Sequence, residues 1–176
     1  MDHKPKTITK AGIKEANNKA ERYRFLNQPE EAESICLDVL TVDPENQLAW
    51  RNLGLAITDQ FTGKANDRHS EAELAFEKLT DRYERLYYTG IMHERRAKSQ
   101  LRAGHLPHTL LVIFEEAMRC FEEAQKLSPS ANDDAILHWN TCVRLLQSRA
   151  DSDWHREHQE IEGIDAGDSQ PMYSKK

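Results

Sequence analysis

The segment PENQLAWRNLGLAI, Pro44 to Ile57, decides the fold. Asp43-Pro44 ends whatever helix precedes it, because a residue before proline is pushed out of helical geometry. A new helix then opens near Asn46 and carries Leu48, Ala49, Trp50, Leu53, Leu55, Ala56 and Ile57. It holds a large ring at Trp50 and no side chain at all at Gly54, one turn later. Glycine inside a helix costs about 1 kcal/mol relative to alanine, so its place here needs a packing reason. Close approach of a second helix is such a reason.

Similar segments flank this one. Upstream, Ile13, Ala16, Ala20, Tyr23 and Leu26 fall at helical spacing over residues 9–26, with Thr9 as the expected N-cap. Pro29 opens a second helix with Ala32, Ile35, Cys36, Val39 and Leu40 on one face. Downstream, TGKANDR reads as a loop, and Asp67 or Ser70 is expected to cap a fourth helix bearing Ala72, Ala75, Phe76 and Leu79. A fifth helix spans about 81–103 and stops at Gly104. Leu106-Pro107 opens a sixth that runs to Leu127, and Asp133 or Asp134 caps a seventh from about Ala135 to Ala150. No segment alternates as a strand does, so the chain is read as all-α.

Ala32, Cys36, Val39 and Pro44, followed by Trp50, Leu53 and Gly54, resemble the tetratricopeptide repeat family. Ala72 with Phe76, and Ala117, Phe121, Ala124 and Pro129, repeat the second-helix part of its pattern. The resemblance implies a short α-solenoid of about three antiparallel helical hairpins plus a capping helix over residues 9–150. Gly90 takes the glycine position of the third hairpin. Relative to the family's spacing, six extra residues lie between Gly54 and Ala72 and fifteen between Gly90 and Ala117. Fifteen residues are about four helical turns, which implies a third hairpin extended beyond the stack. Residues 1–8 and 151–176 are expected to be disordered, the latter as an acidic tail.

The resemblance implies binding without chemistry: a protein–protein adaptor that takes a peptide or partner helix in a concave groove lined by the first helices. Carried onto this chain, the groove positions are Asn17, Glu21, Arg24, Arg51, Asn52, Leu55, Tyr87, Tyr88 and Glu94. One subclass of the family clamps C-terminal carboxylates with Lys, Asn and Arg. Only Asn52 matches that set here, while Glu21, Glu84 and Tyr88 replace the others. A second candidate surface is the apolar run Leu110–Phe114, whose side chains circle a helix turn so that no single face can bury them all. Leu110, Leu111, Ile113 and Phe114 are therefore either core or an interface, and the interface reading makes the chain a homodimer or a homo-oligomeric structural module.

Other classes find less support. A net charge of −6 argues against a general nucleic-acid binder. The alternative is an RNA-associated protein using Arg95, Arg96, Lys98 and Arg102 beside Tyr87 and Tyr88. Residues 1–24 hold seven Lys/Arg against three Asp/Glu, and residues 151–176 hold three against seven, so the tail has a charge complement in the first helix. His155, His158 and Glu162 have a spacing that a divalent metal accepts, without the order found in zinc proteases. No phosphate loop, nucleophile elbow or catalytic Cys/His setting occurs, so neither an enzyme nor a cofactor is expected. No apolar run approaches the ~18 residues that a membrane span needs, and the N-terminal stretch lacks the apolar core of a signal peptide. Three cysteines without a CxxC are read as reduced, buried thiols, and the expected location is cytoplasmic.

Overall fold

The computed structural model describes residues 3–65 and 67–148, and their regular structure is helical throughout. Residues 3–9 form no helix, although Ile8 packs against the core. A 3₁₀ turn, Lys10–Gly12, leads into α1 (Ile13–Phe25). Then follow α2 (Pro29–Val42), α3 (Gln47–Asp59), α4 (His69–Glu77), α5 (Arg82–Arg102) and α6 (Leu111–Leu127), the last preceded by a 3₁₀ turn, Pro107–Leu110. A seventh helix, α7, is described over 134–148. The expected disorder of 151–176, the tail's docking on α1 and the His155, His158, Glu162 set lie outside the described residues.

Local chemistry sets most boundaries. Thr9 Oγ1 accepts from Gly12 N at 3.2 Å, Asn46 Oδ1 from Ala49 N at 3.0 Å, and Asp81 Oδ1 from Glu84 N at 3.1 Å. Each satisfies a backbone donor that a helix start would otherwise leave unpaired. Gly104, at φ +92, follows α5 in the left-handed conformation that closes helix ends.

The start of α4 departs from expectation. Arg68 occupies the N-cap without a side-chain bond, and Ser70 lies inside the helix. Asp67 caps the preceding loop instead, accepting from Thr62 N at 2.9 Å and Gly63 N at 2.7 Å. The Arg68 guanidinium has no acceptor with which to cap a backbone N–H; it makes two bonds to Glu33, at 3.0 and 2.7 Å, and two to Glu71, at 2.9 and 2.7 Å. The pair with Glu33 is bidentate and ties the start of α4 to α2.

From α1 to α6 each helix packs against the next, and α1 also contacts α3 as α3 contacts α5. The glycines are the contact points of two hairpins. A methyl group at Gly54 would collide with the Phe76 ring, and one at Gly90 would lie 2.6 Å from Phe121 Cε1. Phe76, Phe114 and Phe121 are fully buried, joined by Leu79, Met92 and Leu110. The extension of α5 is not bare: the loop between α3 and α4 lies on it, with Gly63 against Ser99 and Ala103. Cys36, Cys120 and Cys142 are buried and unpaired, and burial pushes the Cys36 and Cys142 thiols up to about 12.

Candidate functional site

The first helices of the hairpins, α1, α3 and α5, together with α7, enclose a cleft of about 520 Å³. Arg24, Leu55, Tyr87, Tyr88 and Glu94, five of the nine groove positions named above, line it. The rest of the lining was not among those positions: Arg95 and Lys98 of α5 were named only for the RNA alternative and Asp134 only as a helix cap, while Ile91 of α5 and His138 of α7 were missed. Ile91, Arg95 and Lys98 follow Tyr87 and Tyr88 at helical spacing, so the period of α5 held the signal for them. Nothing local points to α7, because residues 44 positions apart in sequence meet where His138 reaches Glu94.

The floor is aromatic. Tyr83 and Tyr87 stack with centroids 5.7 Å apart and planes at 8°, and Tyr88 meets Tyr87 edge-on at 5.1 Å. His138 stands edge-on to Tyr87 at 5.7 Å and stacks on Phe121 at 5.4 Å. Burial raises the phenols of Tyr87 and Tyr88 above their ordinary range, and Arg51, 6.0 Å from the Tyr88 ring centre, opposes the effect on Tyr88. Both phenols stay neutral and present a flat face that is part apolar and part polar.

Charge is arranged around that floor in two clusters. In the first, Asp59 serves two arginines: Arg24 Nε donates to Oδ2 at 2.7 Å and Arg95 Nη1 to Oδ1 at 2.5 Å. Arg95 Nη1 is also placed 2.6 Å from Thr58 Oγ1 and 3.3 Å from Leu55 O. Burial and the neighbouring Arg24 charge lower the Arg95 guanidinium, with Asp59 opposing. In the second cluster Glu94, with 2% of its side chain exposed, accepts from Lys98 Nζ and, at 2.6 Å, from His138 Nδ1. Burial alone would raise the Glu94 carboxyl; the His138 and Lys98 hydrogen bonds reverse this and hold it below its ordinary value.

The remaining groove positions do not join the cleft lining. Asn17 and Asn52 are buried. Asn17 Nδ2 donates to Asn46 Oδ1 at 3.1 Å, which spends it on tying α1 to the start of α3. Arg51 is 3.4 Å from Glu84, and Glu21 is exposed beside the cleft-lining Arg24 on α1. The apolar run divides: Leu110 and Phe114 are buried in the chain, so the interface reading fails for them, because their helix face is covered by α5. Ile113 is half-buried, while Leu111 and Val112 are exposed. Of the basic residues on α5, Arg95 and Lys98 are engaged by Asp59 and Glu94.

Among the described residues no helix is long and apolar enough to cross a membrane, and no group of three His, Cys, Asp or Glu side chains could hold a metal ion. No protein-family model and no curated protein matches the chain.

Proposed function

We propose that the chain is a tetratricopeptide-type adaptor that holds a segment of another protein in the cleft of α1, α3, α5 and α7. The observation that carries the reading is the convergence of Arg24, Leu55, Tyr87, Tyr88 and Glu94 on one open cavity. The glycine-against-phenylalanine contact of two successive hairpins supports the repeat. So do the contacts of α1 with α3 and of α3 with α5, which line first helices along one side. Rigid tyrosines offer large contact area with little entropy to lose, and they are favoured where a partner anchors. The adaptor acts through binding free energy alone, in the cytoplasm. The RNA reading is weakened by the engagement of Arg95 and Lys98 with acids on their own chain.

The test is a selection of random dodecapeptides on the full chain, with binding then measured by fluorescence anisotropy. Tyr88→Ala should weaken the selected peptides by about tenfold or more, as hot-spot truncations do. Asp134→Lys, at an exposed position on the opposite wall, serves as a second variant. Peptides that bind both variants as they bind the native chain would remove the cleft from consideration.

A further inference from the structure

Resting on the adaptor reading, we infer that the Arg24–Arg95 end of the cleft receives a carboxylate, an Asp or Glu side chain or a C-terminus, from the partner segment. Two guanidinium groups share the single carboxylate of Asp59, which leaves this cluster with one positive charge in excess. Among the described residues Arg24 is bonded through Nε alone, and every bond of Arg95 is made by Nη1. Arg24 Nη1 and Nη2, and Arg95 Nε and Nη2, are therefore donors without a partner among the described residues. Arg24 exposes 14% of its side chain and Arg95 33%, so both charges are held in place by the wall of the cleft. A planar fork of N–H groups fixed this way matches a carboxylate in geometry as well as charge.

The neighbouring groups agree. Lys98 and His138 converge on Glu94, so that second cluster is neutral with His138 uncharged and positive with it protonated. The exposed acid of the lining, Asp134, acts on Tyr83 and Tyr87, and the acids acting on Arg95 are Asp59 first and Glu94 after it. Tyr87 lies eight residues before Arg95 on α5, about 12 Å at the helical rise. The cleft thus has a polar axis, with an anion-receiving end at Arg24 and Arg95, tyrosine rings between, and Asp134 beyond. A phosphate would suit the donors, but a doubly charged group needs more positive charge than one net unit supplies. A carboxylate balances it.

The selected dodecapeptides supply the test. They should carry Asp or Glu at one fixed position, and changing that residue to Asn or Gln should cost about tenfold on the native chain, the scale of a charge-assisted hydrogen bond. On Arg24→Gln, which leaves Arg95 paired with Asp59, the same change should cost less than about twofold. Asp59→Asn frees both arginines and should tighten the acidic peptides severalfold, an outcome that a merely structural role for the ion pairs does not give.

Peptides that need Tyr88 but show no acidic position, or that lose equally on the native chain and Arg24→Gln, overturn the inference and leave the adaptor reading standing. An absence of any cleft-dependent peptide overturns both. A full chain whose Asp and Glu residues between 151 and 176 are changed to Asn and Gln is the last comparison. If it binds the acidic peptides more than tenfold tighter, the chain's own tail is the occupant, which overturns the assignment to a partner.

Discussion

Gly90 lies against the ring of Phe121 so closely that a Cβ on its backbone would fall 2.6 Å from Cε1, inside contact distance of a ring that is itself fully buried. Gly54 stands in the same relation to Phe76. Alanine in place of either glycine gains up to about 1 kcal/mol of helix propensity. The collision outweighs it, because neither ring has room to retreat. Gly90→Ala should lose about 1–3 kcal/mol in urea titrations followed by far-UV circular dichroism. Phe121→Leu removes the atoms that collide, so Gly90→Ala should cost less on that background than on the native one. Additive costs would show that the glycine serves something other than the ring.

The glycine contacts were legible in sequence because a helix-interior glycine needs a reason and the spacing supplied one. Helix limits set by Thr9, Asn46, Asp81 and Gly104 were legible for the same local cause. The start of α4 was not: Asp67 or Ser70 was the expected cap, but Asp67 accepts from the loop donors Thr62 N and Gly63 N. The run Leu110–Phe114 showed that its burial must be divided without showing how. Only the position of α5 decides that Leu110 and Phe114 go inward and Leu111 and Val112 outward. The α7 wall of the cleft was out of reach, since His138 meets Glu94 across 44 residues.

Glu94 is the buried member of its cluster; Lys98 and His138 remain about a third exposed. Removing a partner leaves a buried carboxylate under-compensated, whereas Glu94→Gln returns two half-exposed groups to water. His138→Leu and Lys98→Met should therefore each cost more stability than Glu94→Gln. Breaking one side of a buried pair costs about 3–5 kcal/mol as an upper range, and the polar change to Gln about 1–2 kcal/mol. A larger loss in Glu94→Gln than in His138→Leu would contradict the assignment of Glu94 as the buried charge.

Acid should expose the same cluster. The folded Glu94 carboxyl sits below its ordinary value of 4.5, as the Glu33 carboxyl does, held mainly by the Arg68 hydrogen bond. A carboxyl depressed in the folded state contributes stability that is fully present above its unfolded value and fades as pH falls through the folded one. Stability should thus decline below about pH 4.5. The slope in that range should be shallower in Glu94→Gln and in Glu33→Gln than in the native chain. Equal slopes in all three would mean that neither carboxyl is depressed.

Leu111 and Phe114 are three residues apart on α6 with opposite fates, 42% and 0% exposed. Leu111→Glu should change stability by about 0.5 kcal/mol or less, as surface changes do. Phe114→Glu buries a lone charge among the residues of the core and should unfold the chain. Sedimentation equilibrium of the native chain and of Leu111→Glu then tests the exposed rim. A native dimer that becomes a folded monomer in the variant makes Leu111 an interface residue, and equal masses exclude it.

The Trp50 ring, half-buried against the core, borders an outer groove with Leu37 of α2, Leu53 and Ile57 of α3 and Leu74 of α4. Its Nε1 reaches back to donate to Pro44 O at 2.7 Å. That bond spans the turn between α2 and α3, where Asn46 Nδ2 also donates to Asp43 Oδ2 at 2.8 Å. The tryptophan therefore secures the turn from the helix side while Asn46 secures it from within. Trp50→Phe keeps most of the ring's contacts and deletes the donor, so it should cost about 0.5–1.5 kcal/mol, the net worth of one such bond. Hydrogen exchange separates this from a general loss of packing. Amide protection should fall first at Asn46 and Ala49, whose bonds to Asp43 O and Asn46 Oδ1 depend on the turn. Protection in α5 should hold. Uniform loss across the chain would place the contribution of Trp50 in the groove rather than the turn.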